Sequence, residues 1–266
     1  EKGIICKEFN SHLLLEPWII KKKDNTEYKV FTPFYNAFQK QVIPKPISKV
    51  QRIKGGNSLP ASLSVSELHL LPTIRWTSHI ESIWEPTEEG AYKTCKKFFS
   101  SKLASYSEGR DFPNQNAHSM LAPYLSFGQI SVKLMYHYLI NKSTERQCSL
   151  FEKQVNSFIR QLIWREFSYY MLYHYPFTAY KPLNKSFEHF PWNNEEELLR
   201  VWQKGETGYP FIDAGMRELW QTGFMHNRAR MAVASFLVKH LLIPWQEGAK
   251  WFMDTLLDAD IANNTM

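Results

Sequence analysis

The chain has 266 residues, of which 44% are hydrophobic, 22% are charged and 15% are aromatic. This composition excludes a disordered or low-complexity chain, and the length suffices for one large core or for one domain with a long leader. The longest apolar run, residues 232–243, contains a lysine and a histidine and is too short to span a bilayer, so we expect no membrane partner. The formal net charge of +6 favours a polyanionic partner, because Lys and Arg release counterions when they neutralise phosphates.

The N-terminal third has a mixed pattern. Thr32-Pro33-Phe34 opens a short aromatic helix, and the prolines of Pro44-Lys45-Pro46 break it. Residues 51–66 are rich in Gly, Ser and Lys, which predicts a loop or linker. We therefore interpret residues 1–86 as an irregular leader and interdomain connector, a wrapping segment that packs on something else.

Apolar residues recur at helical spacing from Thr87 onward, and no alternating strand pattern or βαβ rhythm interrupts them. We therefore expect a mainly α fold, with residues 87–266 forming an all-helical domain. Two capping boxes are expected at helix starts, Ser126 with Gln129 and Ser149 with Glu152. The predicted helices are 88–106, one after Ser126, one after Ser149 with a wide apolar face, 210–222 closed by Gly223, 227–242, and 247–257.

The cysteines and histidines predict neither a disulfide nor a metal site. Cys6, Cys95 and Cys148 are far apart and not in CxxC spacing, which favours free thiols in a reducing compartment. The nine histidines include no HExxH or His-x-His arrangement, so we expect no structural metal. No signal-peptide pattern opens the chain, but its first residue is not Met, so its localisation is left open.

Five segments carry the candidate chemistry, and none is a GxGxxG, P-loop or GxSxG motif. A nucleotide cofactor, if present, is therefore not held in a Rossmann crevice. The first segment follows a loop that contains Tyr106 and residues 110–113. The five segments are residues 124–128, 162–167, 207–217, 225–231 and 258–264.

A polar and aromatic helix face is expected at Gln161, Trp164 and Arg165, which are three and four residues apart. A Trp beside Arg and Gln can be a stacking platform for a base. The alternative, favoured when the segment is taken alone, is a Trp half-buried against the next helix.

A second charged cluster is expected where Arg228 and Arg230 lie close to a helix N-terminus, which is a favourable place for an anion. The alternative is two surface arginines. Asp258 and Asp260 follow a helix, and such carboxylates pair naturally with a buried Arg.

The order and spacing of these segments resemble the photolyase and cryptochrome family along nearly the whole chain, most specifically from Tyr106 to Asn264. The resemblance implies a helical domain that binds FAD non-covalently. It also implies a basic face around a cavity, into which a damaged dinucleotide is flipped from ultraviolet-damaged DNA. The implied activity is the light-driven splitting of cyclobutane pyrimidine dimers by an electron from reduced FAD. A cryptochrome-like blue-light photoreceptor and an inactive fragment of a split gene are the alternatives.

The resemblance also implies residue roles. The residues implied to hold FAD are Tyr106, His118, Ser119, Met120, Leu121, Ala122, Phe158, Arg165, Arg230, Asp258, Asp260 and Asn264. Those implied to contact DNA or the dimer are Arg110, Gln161, Trp164, Asn227, Arg228 and Met231. Trp164, Met231 and Asn264 are implied to act in catalysis, Asn264 by facing flavin N5 with an uncharged amide. Trp192 and Trp245 match the outer members of a Trp chain that photoreduces the flavin.

The branch of the family is predicted from Met231. Enzymes for (6–4) products carry a His pair in this stretch, and a Met packs and polarises but cannot donate a proton. We therefore expect a cyclobutane-dimer enzyme, most like class I.

Two departures from the family pattern concern residues implied to bind FAD or the dimer. Residues 118–122 read His-Ser-Met-Leu-Ala where Thr-Ser-x-Leu-Ser is usual, and Gln161 stands where many dimer enzymes have Glu.

The resemblance finally predicts what lies outside this chain. An N-terminal α/β antenna domain and its chromophore site are expected to be missing, together with a C-terminal part that carries the flavin-proximal Trp beyond Met266. The chain is then either cut from a longer protein or one piece of a split gene, whose separately encoded remainder would be a partner.

Overall fold

The computed structural model describes residues 5–7, 9–48, 50–52, 55, 61–70 and 76–265. In these ranges the regular structure is helical and no strand is present, which confirms the predicted mainly α fold. The α-helices are α1 Phe31–Phe38, α2 Ser78–Ile83, α3 Glu88–Lys97, α4 Tyr106–Gly109, α5 Ala122–Ser126, α6 Val132–Arg146, α7 Ser149–His174, α8 Glu196–Lys204, α9 Pro210–Thr222, α10 Asn227–Lys239, α11 Trp245–Thr255 and α12 Ile261–Asn264.

The central element is α7, whose apolar residues recur every three or four positions and are buried together. A large apolar side chain that is fully buried contributes about 1.5–3 kcal/mol, so this face anchors the first core. Its buried apolar residues are Val155, Phe158, Ile159, Leu162, Ile163, Phe167, Tyr170 and Met171.

The leader shares the core of α7. The aromatic residues Phe31, Phe34 and Phe38 of α1 pack against it, as do Leu14 and Leu15. Its backbone is also tied down by side chains of α7. Glu166 Oε2 accepts hydrogen bonds from the N–H groups of Leu14 (2.9 Å) and Leu15 (3.2 Å). The leader is therefore a strap built into the core. The predicted linker at 51–66 lies partly outside the described residues.

A second core joins α8 to α11 around Trp202, which is completely buried. Trp202 Nε1 donates to the carbonyl of Val233 in α10 at 3.0 Å. Helix α9 begins and ends where predicted, since Pro210 suits a first helical turn and Gly223 adopts a left-handed φ of 67° after the last residue. A Cβ at Gly223 would lie 2.7 Å from Leu257 Cγ, so no larger residue fits there without movement.

Several predicted helix ends were wrong. The cap of α6 is Ser131, whose Oγ accepts from Leu134 N–H at 3.3 Å, whereas Ser126 is the last residue of α5. The Ser149 box does not form, because α7 already begins at Ser149 and its N-cap is Cys148. Helix 88–106 is interrupted by a wider π turn and a 3₁₀ turn at 98–105, and α8 was not predicted. Helix α10 ends three residues early and α11 is shifted by two.

Among the described helices, none combines the length and the apolarity that a bilayer crossing requires.

Candidate functional site

A cavity of about 530 Å³ lies between the two cores. Helices α7, α10, α11 and α12 and the loop before α5 contribute to its wall. The structure brings together fourteen of the predicted site residues here, from segments far apart in sequence. These are Tyr106, Arg110, His118, Ser119, Ala122, Phe158, Gln161, Arg165, Asn227, Arg230, Met231, Asp258, Asp260 and Asn264.

Arg230 and Asp258 form a largely buried ion pair on this wall. Arg230 Nη2 lies 2.9 Å from Asp258 Oδ2, and the side chains are 21% and 8% exposed. Arg230 Nε also donates to the carbonyl of Met225 at 2.7 Å, which fixes the guanidinium. Asp258 Oδ1 is buried without a hydrogen-bond partner among the described residues, so a ligand N–H is a suitable partner for it.

Arg165 and Asp260 belong to a second charged cluster. Arg165 Nη1 donates to the carbonyl of His12 at 2.8 Å, and Nη2 contacts His12 Nε2. Tyr169 of α7 donates its hydroxyl proton to Asp260 Oδ2 and lies with its ring 4.9 Å from the Arg165 guanidinium. Burial lowers the pKa of His12, and the charge of Arg165 lowers it further, so this histidine is neutral near pH 7.

The loop before α5 divides its residues between two cavities and the core. His118, Ser119 and Ala122 line the main cavity. Met120, with a positive φ of 58°, lines a smaller cavity of about 200 Å³ that also contacts Ser119, and Leu121 is buried in the first core.

His118 is stacked on Phe224, with ring centroids 5.0 Å apart. Burial lowers its pKa to about 4, and the charges of Lys102 and His226 add to this effect. Its Nδ1 is buried without a hydrogen-bond partner in the described part of the chain. A neutral imidazole with a free nitrogen therefore stands where the family usually has a hydroxyl.

The predicted dimer-binding residues separate into two groups. Gln161, Asn227 and Met231 face the cavity. Asn227 Nδ2 contacts Met231 Sδ at 3.8 Å, one helical turn away. Arg228 does not line the cavity: its Nη2 lies 2.8 Å from Asp111 Oδ1 on an exposed surface. Arg110 is at the cavity, 3.4 Å from Asp111.

Trp164 also lies outside the cavity lining. One face of its indole stacks on Phe31 of the leader, with centroids 3.6 Å apart and planes within 8°. The side chain stays 40% exposed. The packing of a half-buried Trp, which was one of the two alternatives, is therefore present, and the exposed part of the ring is available for stacking.

The predicted electron-transfer residues Trp192 and Trp245 line one further cavity, of about 490 Å³. Phe190 packs on Trp192 with centroids 4.4 Å apart. The structure thus places both indoles at one aromatic site, apart from the main cavity.

Sequence reasoning missed one residue that lines the main cavity, His226, and two that contact its charged wall, His12 and Tyr169. His226 could have been noticed, because it precedes a predicted helix start and its Nδ1 accepts from Arg228 N–H as an N-cap at 3.1 Å. His12 and Tyr169 carried no local signal, since 157 residues separate them. The described residues contain no group of three His, Cys, Asp or Glu that could hold a metal ion.

The residues present fit FAD, the cofactor that the resemblance implies. Two buried atoms in the cavity lining have no hydrogen-bond partner among the described residues, the carboxylate oxygen Asp258 Oδ1 and the imidazole nitrogen His118 Nδ1. A carboxylate accepts an imide N–H, and arginines and a histidine N–H suit a pyrophosphate. Tyr106 and Phe158 add apolar wall for a planar ring system, packed edge to face at 5.4 Å.

Comparison with known proteins agrees with this fit. Residues 158–266 match the family model described as the FAD binding domain of DNA photolyase, which contains the α7, α10 and α12 residues of the cavity. Residues 1–51 match the model described as DNA photolyase. This second match falls in the region that we interpreted as a leader, and the division into domains stays a prediction.

Curated relatives carry two kinds of name. A deoxyribodipyrimidine photo-lyase of Agrobacterium fabrum is 41% identical over 99% of this chain and 55% of its own length. Cryptochrome-2 of Arabidopsis thaliana is 36% identical over 98% of this chain and 44% of its own length. The chain therefore spans about half the length of the curated relatives it matches.

The similar solved structures also include both photolyases and cryptochromes, and this chain covers about half of each. A bacterial class III photolyase from Agrobacterium tumefaciens matches with a TM-score of 0.90 and 41% identity, covering 96% of this chain and 52% of that one. A Synechocystis cryptochrome matches with a TM-score of 0.76 and 30% identity, covering 89% and 49%. The expected class I type stays a prediction. The helical fold, the cavity and these similarities together show that the chain belongs to the DNA photolyase and cryptochrome family.

Proposed function

We propose that this chain provides the flavin-binding and DNA-docking part of an enzyme that uses light to split cyclobutane pyrimidine dimers in DNA. One observation carries the proposal. The residues assigned to the dimer, Gln161, Asn227 and Met231, face the same cavity as the charged wall assigned to FAD. A dimer bound by these residues would lie next to the flavin, as an electron transfer between them requires.

The chemistry that FAD supplies when bound is the donation of an electron from its reduced, light-excited form to the dimer, and the recovery of that electron. The chain's own residues bind and orient. Arg230 and Asp258 would hold the cofactor through their fixed ion pair. The Asn264 amide, which lines the cavity beside the Met253 sulfur at 3.6 Å, can hydrogen-bond without adding charge.

On the DNA side, Met231 gives the cavity an apolar, polarisable wall that cannot donate a proton, which favours cyclobutane dimers over (6–4) products. The exposed part of Trp164 would stack on a base, and its packing on Phe31 keeps the indole in one orientation. Arg110 and Arg228 would contact phosphates, and both lie within 3.4 Å of Asp111.

The test is a binding and repair assay with FAD-loaded protein and ultraviolet-irradiated or intact duplex DNA. Irradiated DNA should bind more tightly, and light should restore intact pyrimidines. Trp164→Ala should reduce the preference for irradiated DNA about 5- to 150-fold, because stacking is worth ~1–3 kcal/mol per base. Arg228→Ala should weaken the binding of irradiated and intact DNA alike, and it should lower the salt dependence of that binding. Trp164→Phe, which keeps a ring, is the matched control and should retain most of the preference.

A second function, blue-light sensing, is favoured by the Arabidopsis and Synechocystis cryptochromes among the relatives. Bound FAD that responds to light, combined with equal affinity for the two DNAs and no repair, would support the photoreceptor and contradict the repair enzyme. Protein that binds no FAD would contradict both.

A further inference from the structure

Asp260 has a different partner on each oxygen. Its Oδ1 caps α12 by accepting from Asn263 N–H at 2.9 Å, and its Oδ2 accepts from the Tyr169 hydroxyl. Its backbone carbonyl accepts from Asn264 N–H at 2.8 Å. Both Asp260 and Asn264 line the main cavity. The position and charge of the Asp260 carboxylate therefore affect two lining residues of the main cavity, Asp260 itself and Asn264.

Tyr169 has one proton and two acceptors within reach. Its oxygen lies 2.6 Å from His12 Nε2 as well as against Asp260. Arg165 Nη2 also contacts His12 Nε2, and a guanidinium has only donors, so this nitrogen must act as an acceptor. Its single lone pair is shared between the Arg165 N–H and the Tyr169 hydroxyl, so His12 competes with Asp260 for the Tyr169 proton.

His12 is held in place from the leader side. Asn10 Oδ1 accepts from the N–H groups of His12 (3.1 Å) and Leu13 (2.9 Å), and Arg165 Nη1 donates to the His12 carbonyl at 2.8 Å. The leader thus brings a neutral acceptor to a carboxylate on the cavity wall, across 157 residues of sequence from Tyr169.

We infer that Tyr169 and His12 are positioning residues that set the effective negative charge of Asp260 toward the flavin. Tyr169 partly neutralises the carboxylate by donating to it. His12 opposes this by drawing on the same proton and by holding Arg165. The inference rests on FAD binding in the main cavity, which is part of the proposed function.

The two residues should therefore shift the flavin reduction potential in opposite directions. Tyr169→Phe leaves Asp260 more negative, which disfavours adding electrons to a nearby flavin, so the midpoint potential should fall. His12→Leu commits the Tyr169 proton to Asp260 and frees Arg165 Nη2, while Nη1 keeps its bond to the backbone carbonyl of residue 12, so the potential should rise. We expect each change to alter the ratio of reduced to oxidised flavin about tenfold, which is ~30 mV for a two-electron couple.

The experiment measures the midpoint potential of bound FAD by spectroelectrochemistry, with FAD affinity determined in parallel by fluorescence quenching. Tyr173→Phe is the matched control, because Tyr173 lies one turn further along α7, is 52% exposed and packs on Trp18. It should change neither quantity.

Opposite shifts support the inference, and if Tyr169→Phe fails to fold, the predicted rise in His12→Leu carries it alone. Shifts of the same sign, or lowered FAD affinity with an unchanged potential in the flavin that stays bound, would overturn it, because simple loss of packing gives those results. Wild-type protein that binds no FAD would remove both this inference and the cofactor of the proposed function.

Discussion

Glu166 makes the stability of this protein depend on pH in an unusual direction. The side chain is only 4% exposed, and burial raises its pKa from 4.5 to about 7, against the opposing effect of the Leu14 and Leu15 N–H groups. Because the folded state holds the proton more tightly than the unfolded chain, this contribution to stability is complete below pH 4.5. It is lost as the pH rises through about 7.

The size of the effect follows from the same shift. One pH unit of difference corresponds to about 1.4 kcal/mol, so the rise to about 7 is worth roughly 3 kcal/mol, of which about 2–3 kcal/mol changes between pH 5 and pH 8. Glu166→Gln removes the titration and keeps an oxygen for the Leu14 and Leu15 N–H groups. The variant should therefore gain about 2–3 kcal/mol relative to wild type as the pH rises over this interval.

Urea unfolding at pH 5, 6, 7 and 8 measures this difference directly. Glu152→Gln, an exposed substitution on the same helix, should follow the wild-type pH dependence. If the stability gap between Glu166→Gln and wild type is constant from pH 5 to pH 8, Glu166 does not change its charge in this range and the reasoning fails.

Three further predictions concern other sites. In a version of the protein that includes the flavin-proximal Trp expected beyond Met266, Trp245→Phe should slow photoreduction of bound FAD strongly and Trp192→Phe should slow it as well, both followed by flavin absorbance. Unchanged rates would make these residues structural only. Asp213→Ala should lower the unfolding free energy by about 2–4 kcal/mol in urea titrations, because it leaves the Thr207 and Gly208 N–H groups, at 2.8 and 3.0 Å from its oxygens, without their acceptor. Asp111→Asn should raise the affinity for intact DNA and steepen its salt dependence by about one unit, since it frees the Arg228 guanidinium; a flat response would exclude this arginine from phosphate binding.

The parts of the fold that were predicted are those determined by local sequence signals, which act between neighbouring residues. Helix α9 has Pro210 in its first turn and Gly223 after its last residue, and both signals act over a few positions. The cavity residues from Asp258 to Asn264 were predicted for a similar reason, as one short segment with a recognisable pattern.

The parts that were missed depend on distant packing. Which face of Trp164 is covered is decided by Phe31, 133 residues earlier, and nothing near Trp164 indicates it. The capping oxygen of α6 belongs to Ser131 rather than Ser126, because Ser126 is the last residue of the short helix α5. Hydrophobic periodicity does not reveal so short a helix in front of a longer one.

The strap formed by the leader has a consequence for the order of folding. Leu14 meets Glu166 across 152 residues, so the first core cannot close until the segment between them has been synthesised. At typical synthesis rates of about 5–20 residues/s, the aromatic side chains of α1 would wait roughly 7–27 s for their partners on α7. Closing so long a loop also costs conformational entropy before the favourable free energy of packing is gained, which makes folding slow. Newly made protein should therefore depend on chaperones that shield the exposed N-terminal aromatics until the central helix arrives.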